Sequence, residues 1–145
     1  MNITIRKLRE EDVELLAQIE AESFSMPWSA KDFHDLLFRD YCLYVVAEVD
    51  GEVAGCAGLT NICKEGNIDN VVVAERFRRH GVARELLARL IALGEEQGIE
   101  AFTLEVRVSN TAAIGLYEKF GFVSEGIRPN FYERPNEDAM IMWRR

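Results

Sequence analysis

Cysteine, histidine and proline are scarce in this chain of 145 residues, which contains three cysteines, two histidines and three prolines. Cys42, Cys56 and Cys63 form no Cys-x-x-Cys pair and fall in strand-like segments, so we expect buried free thiols rather than disulfides. His34 and His80 are the only imidazoles, which leaves too few nitrogen ligands for a typical zinc site. The sequence therefore predicts a protein without a bound metal.

Long hydrophobic runs and a positive net charge are also missing. No apolar segment approaches the roughly 20 residues of a membrane-spanning helix, and the first residues lack the apolar stretch of a secretion signal. The formal charge of −8 at pH 7 disfavours broad binding to nucleic acids or anionic membranes. Length and composition are those of one globular domain, residues 1–145, which we expect to be cytoplasmic.

Hydrophobic periodicity predicts alternating strands and helices along the whole chain. Asp50-Gly51 is a strong hairpin signal, Lys64–Asn67 is interpreted as the next turn, and Ser29 with Asp32 has the spacing of a helix capping box. We expect strands near residues 3–6, 41–49, 52–63, 67–73, 102–107, 122–127 and 139–143, helices near 10–24, 30–39, 82–97 and 111–120, and a polar connection over 128–138. This order predicts an α/β protein with one mixed sheet of about six to seven strands, flanked by about four helices.

The most informative segment joins the apolar strand Val71–Val73 to a helix through Arg78-Arg79-His80-Gly81-Val82-Ala83. The start of a helix offers unpaired N–H groups and a favourable dipole for an anion, and glycine lets a ligand approach the backbone closely. The segment therefore predicts a cradle for a polyphosphate, although by pattern alone an arginine-rich turn into a helix is more often simply a solvated helix start. Five arginines add positive charge around it: Arg76, Arg78, Arg79, Arg84 and Arg89.

With this motif in place, the chain resembles the Gcn5-related N-acetyltransferases over essentially its whole length. The family motif, Arg/Gln-x-x-Gly-x-Gly/Ala, stands here at Arg78–Ala83, between a strand and a helix. One branch, the bacterial ribosomal-protein-alanine N-acetyltransferases, is similar in further stretches: Phe24–Ser29, Asn67–Val73, Leu104–Asn110, Ala112–Phe122, Arg128–Tyr132 and Glu137–Ala139. Phe131 stands where that branch more often has a tyrosine, so no hydroxyl is available at this position.

The resemblance implies a splayed sheet with acetyl-coenzyme A in the gap, and a protein N-terminal amine as acceptor. It implies that an N–H of Val72 or Val73 binds the thioester oxygen, that Glu105 is the general base and that Tyr117 faces the coenzyme sulfur as an acid. By pattern alone, Glu105 belongs to the polar face of a strand and Tyr117 to a buried helix face. The expected coenzyme contacts are Val71, Val72, Val73, Arg78, Arg79, His80, Gly81, Val82, Ala83, Arg84, Asn110 and Tyr117.

Two of these residues have a second interpretation. Asn110 is expected to bind the pantetheine arm, but it is also a plausible N-cap of the helix that follows. His80 occupies a variable position of the motif, so its second interpretation is a solvated residue. We assign it no catalytic role.

The acceptor side is predicted from aromatic and apolar residues near two loops. Met26, Pro27 and Trp28 in the first loop, with Phe131 and Tyr132 near the end of the chain, form the expected wall of a peptide slot. Trp28 is also placed to act as a hydrophobic staple before Ser29. Two other functions stay open at this point: acetyl transfer to lysine or a small amine such as a polyamine, and a non-catalytic acyl-coenzyme A binding module.

Overall fold

Seven strands and four α-helices make up the computed structural model, which describes residues 1–145. The strands are β1 Ile3–Lys7, β2 Cys42–Val49, β3 Glu52–Ile62, β4 Glu65–Val73, β5 Ala101–Arg107, β6 Val123–Tyr132 and β7 Glu137–Arg144. The helices are α1 Val13–Ser23, α2 Ala30–Leu36, α3 Val82–Glu96 and α4 Thr111–Lys119, with short 3₁₀ turns at Glu10–Asp12 and Glu75–Phe77. None of the helices combines the length and the apolar character needed to cross a membrane.

One sheet contains all seven strands in the order β1-β2-β3-β4-β5-β7-β6. Only β4 and β5 run parallel, so the predicted mixed sheet is confirmed. Their pairing extends from Glu65↔Ala101 to Ile68↔Leu104 and then stops, so the two strands separate beyond this point. Just after it, Asp69 is an extra residue of β4, because Ile68 pairs with Leu59 and Asn70 with Gly58. Such a bulge bends and twists a strand, which accounts for the splay.

The reverse turns follow from local sequence. Asp50 and Gly51 both have positive φ, 49° and 88°, as a two-residue type I′ hairpin requires, and this prediction is confirmed. The next reversal uses Cys63 and Lys64, with φ of 51° and 69°, so the turn predicted at 64–67 lies earlier and β4 begins at Glu65. All three cysteines are free, but only Cys56 is buried as expected: Cys42 is half-buried and Cys63 is exposed in this turn.

Strand β6 is longer than predicted, because it continues through Pro129 to Tyr132. Proline lacks the N–H that a ladder needs, but β6 is an edge strand and its register with β7 shifts between Arg128 and Tyr132. The predicted polar connection over 128–138 therefore shrinks to residues 133–136. This extension brings Phe131 and Tyr132 onto a strand rather than a loop.

Apolar side chains of α3 fill the core against β2, β3 and β4. Leu86, Leu87 and Leu90 are fully buried, and each buried leucine stabilises the fold by roughly 1.5–3 kcal/mol. Gly94 allows close contact with β5, since a Cβ there would lie 2.9 Å from the Phe102 ring. Helix α1 packs against β3 and β4. Helices α1 and α3 thus both support β4, the strand that separates from β5.

Candidate active site

The gap between β4 and β5 opens into a cavity of about 660 Å³. Its walls come from α1, the α1–α2 loop, β4, β5, α4, the end of β6 and the β6–β7 turn, so residues far apart in sequence meet there. Eight predicted site residues line it: Met26, Trp28, Val71, Glu105, Asn110, Tyr117, Phe131 and Tyr132. Pro27 was expected in this wall and is not part of it.

The backbone of β4 presents two amide groups to the gap. Ala74 N–H donates to the carbonyl of Ala54 at 2.7 Å, which fixes the alternation of the antiparallel ladder between β3 and β4. By that alternation, Val72 directs its N–H towards β3, whereas Val71 and Val73 direct theirs towards the gap. Of the two expected residues, Val72 is excluded because its N–H is bonded to β3, while Val73 faces the gap, as does Val71.

The N-terminus of α3 has the features of an anion site. The first bond of the helix runs from Glu85 N–H to the Gly81 carbonyl at 3.1 Å, so the N–H groups of Val82, Ala83 and Arg84 have no helical partner, and no side chain caps the end. Gly81 adopts φ of 80°, where a side chain is strained. These free donors at a helix start suit a diphosphate. The cradle thus fits the coenzyme.

Two of the five arginines point elsewhere, which corrects the expected concentration of charge. Arg78 donates to the Val73 carbonyl at 3.0 Å and to Ser23 Oγ at 2.9 Å, so it ties β4 to the end of α1. Arg76 pairs with Glu52 at 2.6 Å. Arg79 and His80 are exposed, and neither makes a side-chain hydrogen bond or ion pair. The positive charge left near the cradle comes from Arg79, Arg84 and Arg89.

Glu105 lies at the fork of the two strands rather than on an open surface. Its side chain is 25% exposed, and its Oε2 lies 3.1 Å from Nη1 of Arg128. The two groups are within ion-pair distance, but Oε2 accepts no hydrogen bond with good geometry. The carboxylate is therefore oriented by a cation and keeps acceptor capacity towards the cavity.

Tyr117 combines both interpretations that the sequence allowed. The residue is 8% exposed and its ring packs 5.8 Å from that of Phe122, yet it also lines the cavity. Burial raises the pKa of Tyr117 to about 12. A thiol has a pKa near 8.5, so proton transfer from this phenol to a thiolate is uphill by about 5 kcal/mol. The hydroxyl is better suited to donating a hydrogen bond than to giving up its proton.

Asn110 and Trp28 each combine a local structural contact with a place in the cavity. The Asn110 side chain accepts from Ala113 N–H at 3.2 Å as the N-cap of α4. Trp28 packs against Phe33 with ring centroids 5.5 Å apart, which is the predicted staple at the start of α2. Ser29 and Asp32 form the predicted capping box.

The β6–β7 turn closes the other side of the cavity and is held firmly. Arg107 donates to the carbonyls of Pro135 at 3.0 Å and Glu133 at 3.1 Å, and its guanidinium lies 4.4 Å from the centre of the Tyr132 ring. Ser25 Oγ donates to the Glu133 carbonyl at 3.5 Å, which bridges the turn to the α1–α2 loop. The hydrogen bond between Ser25 and Glu133 therefore joins the two walls of the cavity, the α1–α2 loop and the β6–β7 turn.

Sequence reasoning missed several polar residues of the cavity, among them Glu20, Asp69 and Asn70 on α1 and β4. Glu20 is 1% exposed; it accepts from the Asn70 amide and, at 3.4 Å, from Trp28 N–H. Burial raises the pKa of Glu20. The available signal was position, since Glu20 follows Leu16 by four residues on the buried face of α1. Asp69 and Asn70 stand between the apolar residues Ile68 and Val71 of β4, which was the corresponding signal in that strand.

Comparison with known proteins decides the family. A family model described as the acetyltransferase (GNAT) family matches residues 13–122. The chain belongs to this family. As a GNAT acetyltransferase it is an enzyme that uses acetyl-coenzyme A, so the predicted family, fold and donor are confirmed and the alternative of a non-catalytic binding module is dropped.

Individual relatives of this GNAT enzyme are similar over nearly their full length. A Bacillus subtilis (strain 168) protein, provisionally named a ribosomal protein bS18-alanine N-acetyltransferase, is 39% identical over 140 residues, which are 96% of this chain and 93% of the relative. The ribosomal protein bS18-alanine N-acetyltransferase of Escherichia coli (strain K12) is 36% identical over 141 residues, covering 96% and 95%. The crystal structure of the ribosomal-protein-S18-alanine N-acetyltransferase from Escherichia coli superposes with a TM-score of 0.90 at 34% identity, covering 99% of this chain and 93% of that one.

Proposed function

We propose that this GNAT enzyme acetylates the N-terminal α-amine of an alanine-initiated ribosomal protein, corresponding to the bS18 acceptor named for its relatives. One observation carries the proposal: Glu105 lies in the same cavity as two walls suited to an extended peptide, one with Trp28 and one with Phe131 and Tyr132. The proposed site of action is the cytoplasm. No nucleic acid or membrane contact is required by the reaction.

The donor side of the reaction uses backbone groups. Acetyl-coenzyme A supplies an acetyl group activated as a thioester when it is bound. The free N–H groups of Val82, Ala83 and Arg84 are proposed to hold the diphosphate. The N–H groups of Val71 and Val73, which face the gap, are proposed to stabilise the negative charge that develops on the acetyl oxygen. Fixed backbone donors do this without reorganisation during the step.

Glu105 is proposed to remove the proton from the acceptor amine, directly or through a water molecule. An α-amine has a pKa near 8 and is partly neutral at neutral pH, so a carboxylate is a sufficient base. A lysine amine, with a pKa about 2.5 units higher, would need about 3.4 kcal/mol more for the same deprotonation. The carboxylate base therefore favours the N-terminal acceptor over the lysine alternative.

Tyr117 is proposed to donate a hydrogen bond to the departing thiolate. Its raised pKa keeps the phenol neutral and protonated throughout the physiological range. A neutral donor stabilises the thiolate without transferring a proton, and bonds to charged acceptors contribute about 1.5–3 kcal/mol. The thiolate can then take its proton from solvent after release.

The proposal is tested with two peptides of one sequence. One begins with alanine and has its lysines replaced, and the other has a blocked α-amine and a free lysine. After incubation with acetyl-coenzyme A, fragmentation in the mass spectrometer locates the added acetyl group. We expect the label on the alanine amine. Label on lysine alone would instead support the lysine acetyltransferase alternative.

A further inference from the structure

Asp69 and Glu105 occupy equivalent places on the two strands that separate. The last paired position is Ile68↔Leu104, and each acidic residue comes directly after it. Asp69 is the bulged residue of β4, and both residues line the cavity. The fork of the sheet therefore carries one carboxylate on each arm.

Asp69 has one hydrogen-bond partner and no cation. Thr60 Oγ1 donates to Oδ2 of Asp69 at 2.7 Å, which fixes the side chain and leaves Oδ1 free. No lysine, arginine or histidine lies within ion-pair distance of it. Asp69 is open to solvent on the cavity side, while the protein packed around its carboxyl raises its pKa by partial desolvation.

The other acidic residues of the cavity are satisfied or peripheral. Glu20 uses both oxygens, one for Asn70 and one for Trp28 N–H. Glu105 has its charge balanced by Arg128 at 3.1 Å. Glu133 belongs to the exposed β6–β7 turn, beside Arg134. Asp69 is thus the carboxylate at the fork whose charge nothing in the chain balances.

We propose that Asp69 binds the α-ammonium group of the incoming acceptor and presents it to Glu105, which then takes the proton. This inference rests on the proposed N-terminal acceptor. An uncompensated carboxylate in a partly enclosed cavity gains most from a ligand that brings a positive charge, and an unreacted N-terminus brings one. The acetylated product has lost that charge, so the same contact favours its release.

The test compares binding of a substrate with binding of its product. Calorimetry is run with coenzyme A present, which permits ternary binding but no transfer. One peptide begins with free alanine and contains no lysine or arginine, so that the α-ammonium is its only cation near the fork; the second is its N-acetyl form. For Asp69→Asn we expect binding of the free peptide to weaken about tenfold, a change of about 1.4 kcal/mol. Binding of the N-acetyl peptide should not change.

Two further variants make the result specific. Glu65→Gln removes the same charge from the exposed start of β4, outside the cavity, and is expected to leave both affinities unchanged. Asp69→Glu keeps the charge and is expected to retain part of the preference for the free amine. In steady-state kinetics, Asp69→Asn should raise the peptide KM and alter kcat by less than about twofold, because the contact acts before the chemical step.

Four outcomes would overturn the inference. Equal weakening of both peptides by Asp69→Asn would mean that Asp69 only shapes the fork, and no weakening would mean that it does not contact the amine. A loss confined to kcat would assign it to the chemical step instead. If the wild-type enzyme neither binds nor acetylates the free peptide, the proposed function fails as well. If it does both and Asp69→Asn behaves identically, only the role of Asp69 is refuted.

Discussion

Arg128 reaches across an intervening strand to Glu105. Arg128 belongs to the edge strand β6 and Glu105 to β5, with β7 between them, and the guanidinium nitrogen lies 3.1 Å from the carboxylate oxygen. The same guanidinium lies 5.2 Å from the centre of the Phe131 ring. One side chain thus connects the proposed base to the proposed acceptor wall.

Replacing Arg128 should affect catalysis more than coenzyme binding. In Arg128→Met the Glu105 carboxylate loses the cation that orients it, and we expect kcat to fall about tenfold, less than the roughly 10²-fold cost of a catalytic group that is misplaced by 1 Å. Arg128→Lys, which keeps the charge but not the planar group, should fall less. Stopped-time assays give kcat, and calorimetry gives the dissociation constant of acetyl-coenzyme A. A changed coenzyme affinity with unchanged kcat would contradict the connection to Glu105.

Glu105→Gln should lower turnover more at low pH than at high pH. The amide cannot accept the proton, and general bases contribute about 10²–10⁴ in rate. As the pH approaches about 8, a growing fraction of α-amine is already neutral, so the deficit shrinks. The check is a pH–rate profile of both proteins with the alanine peptide. A constant ratio of the two rates across the pH range would rule out the base assignment.

Local sequence signals correctly predicted the hairpin turn at Asp50-Gly51 and the start of α3 after Gly81, because the physics of both features is local. Asp50 and Gly51 both have a positive φ, and so does Gly81 at the start of α3. Short-range backbone sterics determine which residues adopt such angles. The caps at Ser29 and Asn110 likewise depend on residues three positions away. These features can be predicted without knowing the rest of the fold.

Features that depend on partners distant in sequence could not be predicted. Arg78 looked like a phosphate ligand, but it binds Ser23, which lies 55 positions earlier. The choice between Val72 and Val73 required the register with β3, and the bulge at Asp69 is visible only in the same pairing. A one-residue shift of register reverses which groups face the gap. The chemistry of the cavity therefore depended on tertiary structure that the pattern did not encode.

Tyr117→Phe isolates the hydroxyl from the ring. The phenylalanine keeps the packing against Phe122, so stability should change little, while the lost hydrogen bond to the thiolate should lower kcat about 10- to 100-fold. Because the pKa of Tyr117 is about 12, its ionisation should produce no loss of wild-type activity below about pH 11. Rates measured up to pH 10 test this. A basic limb below pH 10 that disappears in Tyr117→Phe would contradict the hydrogen-bond role.

Glu20 should make the stability of the fold depend on pH. Burial raises the pKa of Glu20 above its ordinary value of 4.5, so the folded state binds a proton more readily than the unfolded state. The stability that protonated Glu20 contributes to the fold is fully present below pH 4.5. It is lost as the pH rises through the pKa of Glu20 in the folded state. Glu20→Gln cannot ionise, and a rotation of the Asn70 amide restores the hydrogen bond. The difference in unfolding free energy, variant minus wild type, should therefore increase with pH in urea titrations from pH 5 to 8. If the unfolding free energies of the variant and the wild type changed in parallel with pH, this role of Glu20 would be contradicted.

Gly81 and Gly51 offer a matched pair for testing the cradle. Both have positive φ, 80° and 88°, and a Cβ at Gly51 meets nothing within 4 Å, while one at Gly81 meets only an Arg84 nitrogen at 3.9 Å. Valine at either position should therefore cost a similar amount of stability, at least about 1–2 kcal/mol. Only Gly81→Val also obstructs the free N–H groups of α3, so it should raise the dissociation constant of acetyl-coenzyme A at least about tenfold. Gly51→Val should leave that constant unchanged. If calorimetry finds the same affinity in both variants, the coenzyme does not use the N-terminus of α3, and the positive φ of Gly81 serves the loop alone.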